Sequence, residues 1–122
     1  MTQASDATMR YCFALDLKND PALIARYKDW HRAGAVPQAI NRSIRNADIR
    51  ELEIWHTGDR LFMIMTVGPD FSPEAKALAD RNDPEVQAWE QLMWEFQKPL
   101  PFAQAGEKWV GMQRIYALNE QP

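Results

Sequence analysis

Leu61–Val67 reads LFMIMTV, a run in which only Thr66 is polar. A strand of that composition has no face suited to water, so it is covered on both sides. It follows Ile49–Thr57, IRELEIWHT, which alternates with the period of a strand. Thr57-Gly58-Asp59-Arg60 joins the two, and glycine in so short a connection marks a hairpin. The rest of the chain must therefore supply a cover for each face of that hairpin.

Met9–Leu17, MRYCFALDL, is predicted as a strand. Tyr11, Phe13, Leu15 and Leu17 share one face; Arg10, Cys12, Ala14 and Asp16 share the other. The second face is small and mixed, which suits a cover other than water. Asp20 is placed to cap a helix and Pro21 to occupy its first position. Leu23, Ile24, Tyr27, Trp30 and His31 then fall on one helical face. Gly34 breaks the pattern, and Val36-Pro37 permits a restart that Ala39, Ile40, Ile44 and Ala47 continue. GPDFSPE is a loop. A short helix over about 73–79 leads to a second one capped by Asp83, with Pro84 in its first turn and Val86, Trp89, Met93 and Phe96 as its stripe. KPLPFAQAGEK is a proline-rich loop, and Trp109–Leu118 is predicted as the last strand.

The order β-α-β-β-α-β predicts an α+β, ferredoxin-like fold: a four-stranded antiparallel sheet with helices on one face. The other face is also apolar, and an apolar face of that size is rarely left in water. The simplest cover is a second copy of the chain, giving a two-fold homodimer with sheets facing each other.

The length of 122 residues is that of one domain, 1–122. Its first eight residues, MTQASDAT, are polar, without the apolar core of a signal peptide, and read as a flexible N-terminus. No apolar run approaches the ~20 residues of a membrane span. The net charge is −3 with dispersed Lys and Arg, which points away from nucleic-acid and membrane partners. The lone Cys12 makes no intramolecular disulfide and reads as a small buried residue, in keeping with a cytoplasmic protein. Neither Cys/His spacing nor the pair His31 and His56 suits a metal. GxSxG, CxxC, a phosphate-cradling loop and a dinucleotide fingerprint are absent. Acid/base chemistry without metal or cofactor, or plain binding of a small molecule, is left.

Tyr27 and His31 are the leading candidates for that chemistry. Four residues apart on a helix, their side chains point into the same space. His31 reads either as a satisfied ring at a helix end or as a general acid/base, since imidazole titrates near neutral pH. The break after it would leave backbone N–H groups near residues 35–38 for a ligand. Trp89 reads as core or as a flat face for a sugar ring. Glu90, next to it but about 100° around the helix, reads as a solvated carboxylate or a ligand contact. Two further candidates are His56, at the end of the second strand, and Asp16, on the mixed face of the first. Each reads equally as a surface or interfacial group.

Together, YxxxH on the first helix, the proline-containing restart, EIWHTGDRLFMIMTV and QAWEQLMWEF resemble the L-rhamnose/L-fucose mutarotase family over about residues 9–118. IWHTGDRLFMIM leans toward the L-fucose branch. The resemblance implies a dimeric α/β barrel that interconverts the α and β anomers of a deoxyhexose pyranose without a cofactor. It implies that His31 is the proton donor and that Tyr27 contacts the sugar. It implies that Trp89 is the first of an aromatic pair on the late helix, the second position being Glu90 here. The rhamnose type also differs in carrying a tyrosine near Leu52 and Trp-Pro-Glu where Val36-Pro37-Gln38 stands, displaced by one residue. Mutarotation protonates the ring oxygen and deprotonates the anomeric hydroxyl. On this reading His31 donates, Tyr27 orients the sugar or relays a proton, and Trp89 stacks on the ring. Glu90, His56 or Asp16 completes the hydrogen bonding. L-Rhamnose is the alternative sugar. A dimeric barrel that binds haem or another small ligand is the alternative of a different class, since one topology serves many functions.

Overall fold

A computed structural model describes residues 7–122; residues 1–6 of the expected flexible N-terminus lie outside the described residues. β1 (Met9–Leu17) pairs antiparallel with β3 (Arg60–Val67), and β3 pairs antiparallel with β2 (Ile49–Thr57). The hairpin closes with Thr57 opposite Arg60. A two-residue turn needs a left-handed residue to match strand twist, and Gly58 supplies it at φ 56°.

Among the described residues the helices are α1 (Pro21–Trp30), α2 (Gln38–Asn46), α3 (Pro73–Arg81) and α4 (Pro84–Trp94); α1 and α4 start at the caps read from the sequence, and α2 restarts after Pro37 without a side-chain cap. Asp20 Oδ1 accepts from the N–H groups of Ala22 and Leu23, and Asp83 Oδ1 from those of Glu85 and Val86. Gly34, at φ 85°, lies in the break between α1 and α2. Within that break the Ala35 N–H bonds the Arg32 carbonyl at 2.9 Å, so it is not free for a ligand as the sequence suggested.

The fourth strand position departs from expectation. Trp109–Leu118 does not form a continuous strand. Two short pieces share the outer edge of β1: β4 (Gln97–Lys98) opposite Leu17 and Asp16, and β5 (Val110–Gly111) opposite Ala14 and Phe13. Leu118–Glu120 is a 3₁₀ turn. The strand order is β2-β3-β1-β4, with β5 also on β1, the order of a ferredoxin-like antiparallel sheet.

Strand alternation sends Tyr11, Phe13, Leu15, Leu17, Leu61, Met63, Met65, Leu52 and Ile54 to one face. The helices cover that face. Leu17, Leu61, Tyr27, Met93 and Phe96 form one buried cluster, and Ile49, Met65 and Val67 form another under Ile44 and Phe71. The opposite face holds Cys12, Ala14, Phe62, Ile64 and Val110, all half-buried, with Trp55 exposed. No helix among the described residues is long and apolar enough to cross a membrane.

Candidate active site

The fully buried residues of the two clusters are separate, linked through partly buried side chains such as Ile54 and Met63, which pair across β2 and β3. Between the clusters lies a cavity of about 440 Å³, walled by Ile54, Trp89 and Met93 from the first and by Leu52, Met63 and Met65 from the second. A cleft of this size on the helix-covered face, opening partly to solvent, is the natural place for a ligand. A second groove of about 600 Å³ between α2 and α3 is lined mainly by small and charged side chains and holds no aromatic ring.

Tyr27, His31, Trp89 and Glu90 all line the smaller cavity. Tyr27 is 3% exposed, and its ring centroid lies 4.3 Å from that of His31. Trp89 closes the group, 5.7 Å from His31 at 63°. Trp30 meets Trp89 edge to face at 6.0 Å and fixes its plane.

Hydrogen bonding sets the proton positions. His31 Nδ1 lies 2.7 Å from the Tyr27 carbonyl, which can only accept, so Nδ1 carries the proton. In the neutral ring Nε2 then keeps its lone pair. Burial lowers the His31 pKa below the ordinary 6.5, the carbonyl contact opposing it. Burial thus favours the neutral form of the His31 ring over the charged one. Burial also pushes the Tyr27 phenol up to about 12, opposed by a hydrogen bond from Gln97 and reinforced by the Glu90 charge. Gln97 Nε2 donates to the phenol oxygen at 3.1 Å, which leaves the phenol proton for another acceptor.

Asp16 and His56 are not brought to this cavity. Asp16 is buried on the opposite sheet face, where Arg60 grips both carboxylate oxygens at 2.7 and 3.2 Å. His56 is exposed, its Nε2 donating to the Gly58 carbonyl at 2.6 Å. The cavity adds Gln97, Lys108 and Trp109, which the sequence reading missed. Gln97 follows the end of α4 directly, and no local pattern marks it. Lys108 ends the proline-rich loop, which carries no motif that marks it. Among the described residues, no cluster of three or more His, Cys, Asp or Glu side chains could hold a metal ion.

An indole face, an imidazole, a phenol and an amide in a cavity of mixed apolar and polar lining suit a small polyhydroxylated ring, and with this fold they define a sugar-handling α+β enzyme. The L-rhamnose mutarotase family model matches residues 10–118. The chain belongs to that family. It is 54% identical over 111 residues to an L-fucose mutarotase of Xanthomonas campestris pv. campestris, covering 91% of this chain and 89% of that one. It is 33% identical over 113 residues to a UPF0734 protein of Dictyostelium discoideum, covering 89% of each. The crystal structure of an L-rhamnose mutarotase from Formosa agariphila superposes with a TM-score of 0.64 at 16% identity. It covers 90% of this chain and 98% of that one, a likeness of fold.

Proposed function

We propose that this mutarotase acts on L-fucose, and that His31 moves the proton while Tyr27 holds the ring oxygen. The observation that carries the reading is the Tyr27–His31 pair beside Trp89 in a cavity between two separate core clusters. The 54% identity to an L-fucose mutarotase favours that sugar. The apolar wall of Leu52, Ile54 and Met63 suits the methyl group of a 6-deoxysugar.

The chemistry follows from the proton positions. His31 Nε2 accepts the proton of the anomeric hydroxyl. The electron pair of that O–H bond forms the C1 carbonyl, and the C1–ring oxygen bond breaks. The imidazolium so formed returns the same proton to the ring oxygen. His31 thus donates, as the family resemblance implied, but it first collects what it gives. Tyr27 stays protonated and hydrogen-bonds the ring oxygen as charge builds there. Rotation about C1–C2 and the reverse steps give the other anomer. A positioned acid/base of this kind contributes roughly 10²–10⁴-fold.

Saturation transfer between the α and β anomeric protons, followed by NMR, tests the reading. Wild type is expected to accelerate exchange of L-fucose more than of L-rhamnose, and His31→Ala to lose about two to four orders of magnitude. Failure of the wild type to accelerate either sugar would overturn it.

We infer also that two copies pair through the open sheet face. The support is the half-buried apolar surface around Phe62 and Ile64 and the 60% exposure of Trp55 beside it. A reducing cytoplasm suits the single free thiol of Cys12, a setting that cell fractionation tests.

A further inference from the structure

Lys108 enters the cavity from the loop between β4 and β5, on the same wall as Glu90 of α4. Its Nζ lies 2.5 Å from Glu90 Oε1, 3.5 Å from the Glu90 carbonyl and 4.6 Å from the centre of the Trp94 ring. The Lys108 side chain is 14% exposed and that of Glu90 43%. The ammonium is held from three directions with little room to move. The carboxylate is half open, and its Oε2 accepts no hydrogen bond among the described residues. The carbonyl contact is at the distance limit, so the ammonium retains donor capacity.

An acceptor and a donor fixed side by side match a vicinal diol. One hydroxyl donates a hydrogen bond to the carboxylate while its neighbour accepts one from the ammonium. The pair is neutral overall, so it suits an uncharged sugar rather than a sugar acid or phosphate. L-Fucose and L-rhamnose differ in configuration at C2 and C4. The O3–O4 pair, remote from C1, is therefore cis in the first and trans in the second. One rigid acceptor–donor pair cannot serve both equally.

We propose that Glu90 and Lys108 together clamp the O3–O4 diol of the sugar, and that Lys108 is thereby a specificity-determining residue. The proposal rests on the mutarotase reading and names which hydroxyls that site recognises. Lys108 takes no part in the proton transfer and contributes by orienting C1 toward His31.

The test crosses protein variants with deoxysugars. Anomeric exchange is measured by NMR for L-fucose, its 4-deoxy analogue and L-rhamnose, with wild type, Lys108→Met and Glu90→Gln. Wild type is expected to lose roughly tenfold to a hundredfold in kcat/KM when O4 is removed. Lys108→Met is expected to lose a similar factor on L-fucose, then to lose little more on the 4-deoxy sugar, and its preference for L-fucose over L-rhamnose is expected to shrink. Glu90→Gln, nearly isosteric, should repeat the pattern should Lys108→Met fail to fold. A full 4-deoxy loss retained in both variants would overturn the clamp while leaving the mutarotase reading intact. Wild type inactive on both natural sugars would overturn that reading and the clamp with it.

Discussion

Burial acts on Tyr27 and His31 in the direction that keeps both uncharged at neutral pH. For a phenol that means a raised pKa and for an imidazole a lowered one, because low dielectric penalises the charged form of each. The mechanism needs neutral His31, so kcat/KM is expected to rise with pH through a pKa below 6.5 and to stay level through neutrality. The Tyr27 phenol, at about 12, adds no fall in that range. Exchange rates measured from about pH 5 to pH 9, less the uncatalysed rate, check this. An activity that falls as pH rises through 6.5 would identify imidazolium as the resting form instead. The same shift bears on stability. The unfolded chain binds the His31 proton more tightly than the folded one, so stability drops as pH falls from 6.5 toward the folded-state pKa, and the penalty is absent above 6.5. The pair was legible in the sequence because four-residue spacing on a helix fixes a shared direction. Gln97, which orients the phenol, was not. It is a lone amide beyond a helix end, brought to Tyr27 by the sheet pairing of Gln97 with Leu17.

α4 carries Trp89 and Glu90, so the start of that helix governs part of the cavity. Asp83 Oδ1 accepts two backbone N–H bonds there, at 3.0 and 3.4 Å. Asp83→Ala is expected to cost about 1 kcal/mol, read as a lowered urea midpoint with an unchanged slope. An unaltered midpoint would show that packing of Val86 and Met93 alone fixes the helix. Caps of this kind are written in adjacent residues, which is why α1 and α4 begin where Asp20-Pro21 and Asp83-Pro84 predict; Ser72-Pro73 does the same for α3, a cap the sequence reading left inside a loop. The fourth strand position is not written that way. β1 takes its outer partners from two places, Gln97–Lys98 and Val110–Gly111, each only two residues long. Two residues carry no period, so a continuous strand over 109–118 was the pattern's best reading, and tertiary pairing overrode it. Lys108 was lost for the same reason. The loop that carries it has no local signature, and only the return of the chain to β1 brings it over Glu90.

At the scale of the whole chain, the sheet separates two tasks. Its helix-covered face carries the two buried clusters and lines the cavity. Its other face presents Phe62, Ile64, Val110 and the exposed Trp55. Beyond β5, Ile115, Tyr116 and Leu118 are 90%, 62% and 74% exposed, an unusual load of apolar surface for so short a tail. A stable interface buries roughly 800 Å² on each partner, and aromatic residues near its centre dominate the affinity. Trp55 fits that role, with its indole N–H already paired to Glu53 at 3.0 Å. In sedimentation velocity the wild type is expected at twice the 14.1 kDa chain mass. Trp55→Glu places a carboxylate beside Glu53 on that face, and is expected to weaken dimerisation roughly tenfold or more. A wild type that sediments as a monomer at micromolar concentration would dismiss the dimer. Because one chain supplies Tyr27, His31, Trp89, Glu90, Gln97 and Lys108, a folded monomeric Trp55→Glu variant is expected to keep anomer exchange close to wild type. Loss of exchange in step with loss of the dimer would instead mean that sheet-to-sheet packing holds the cavity walls in place.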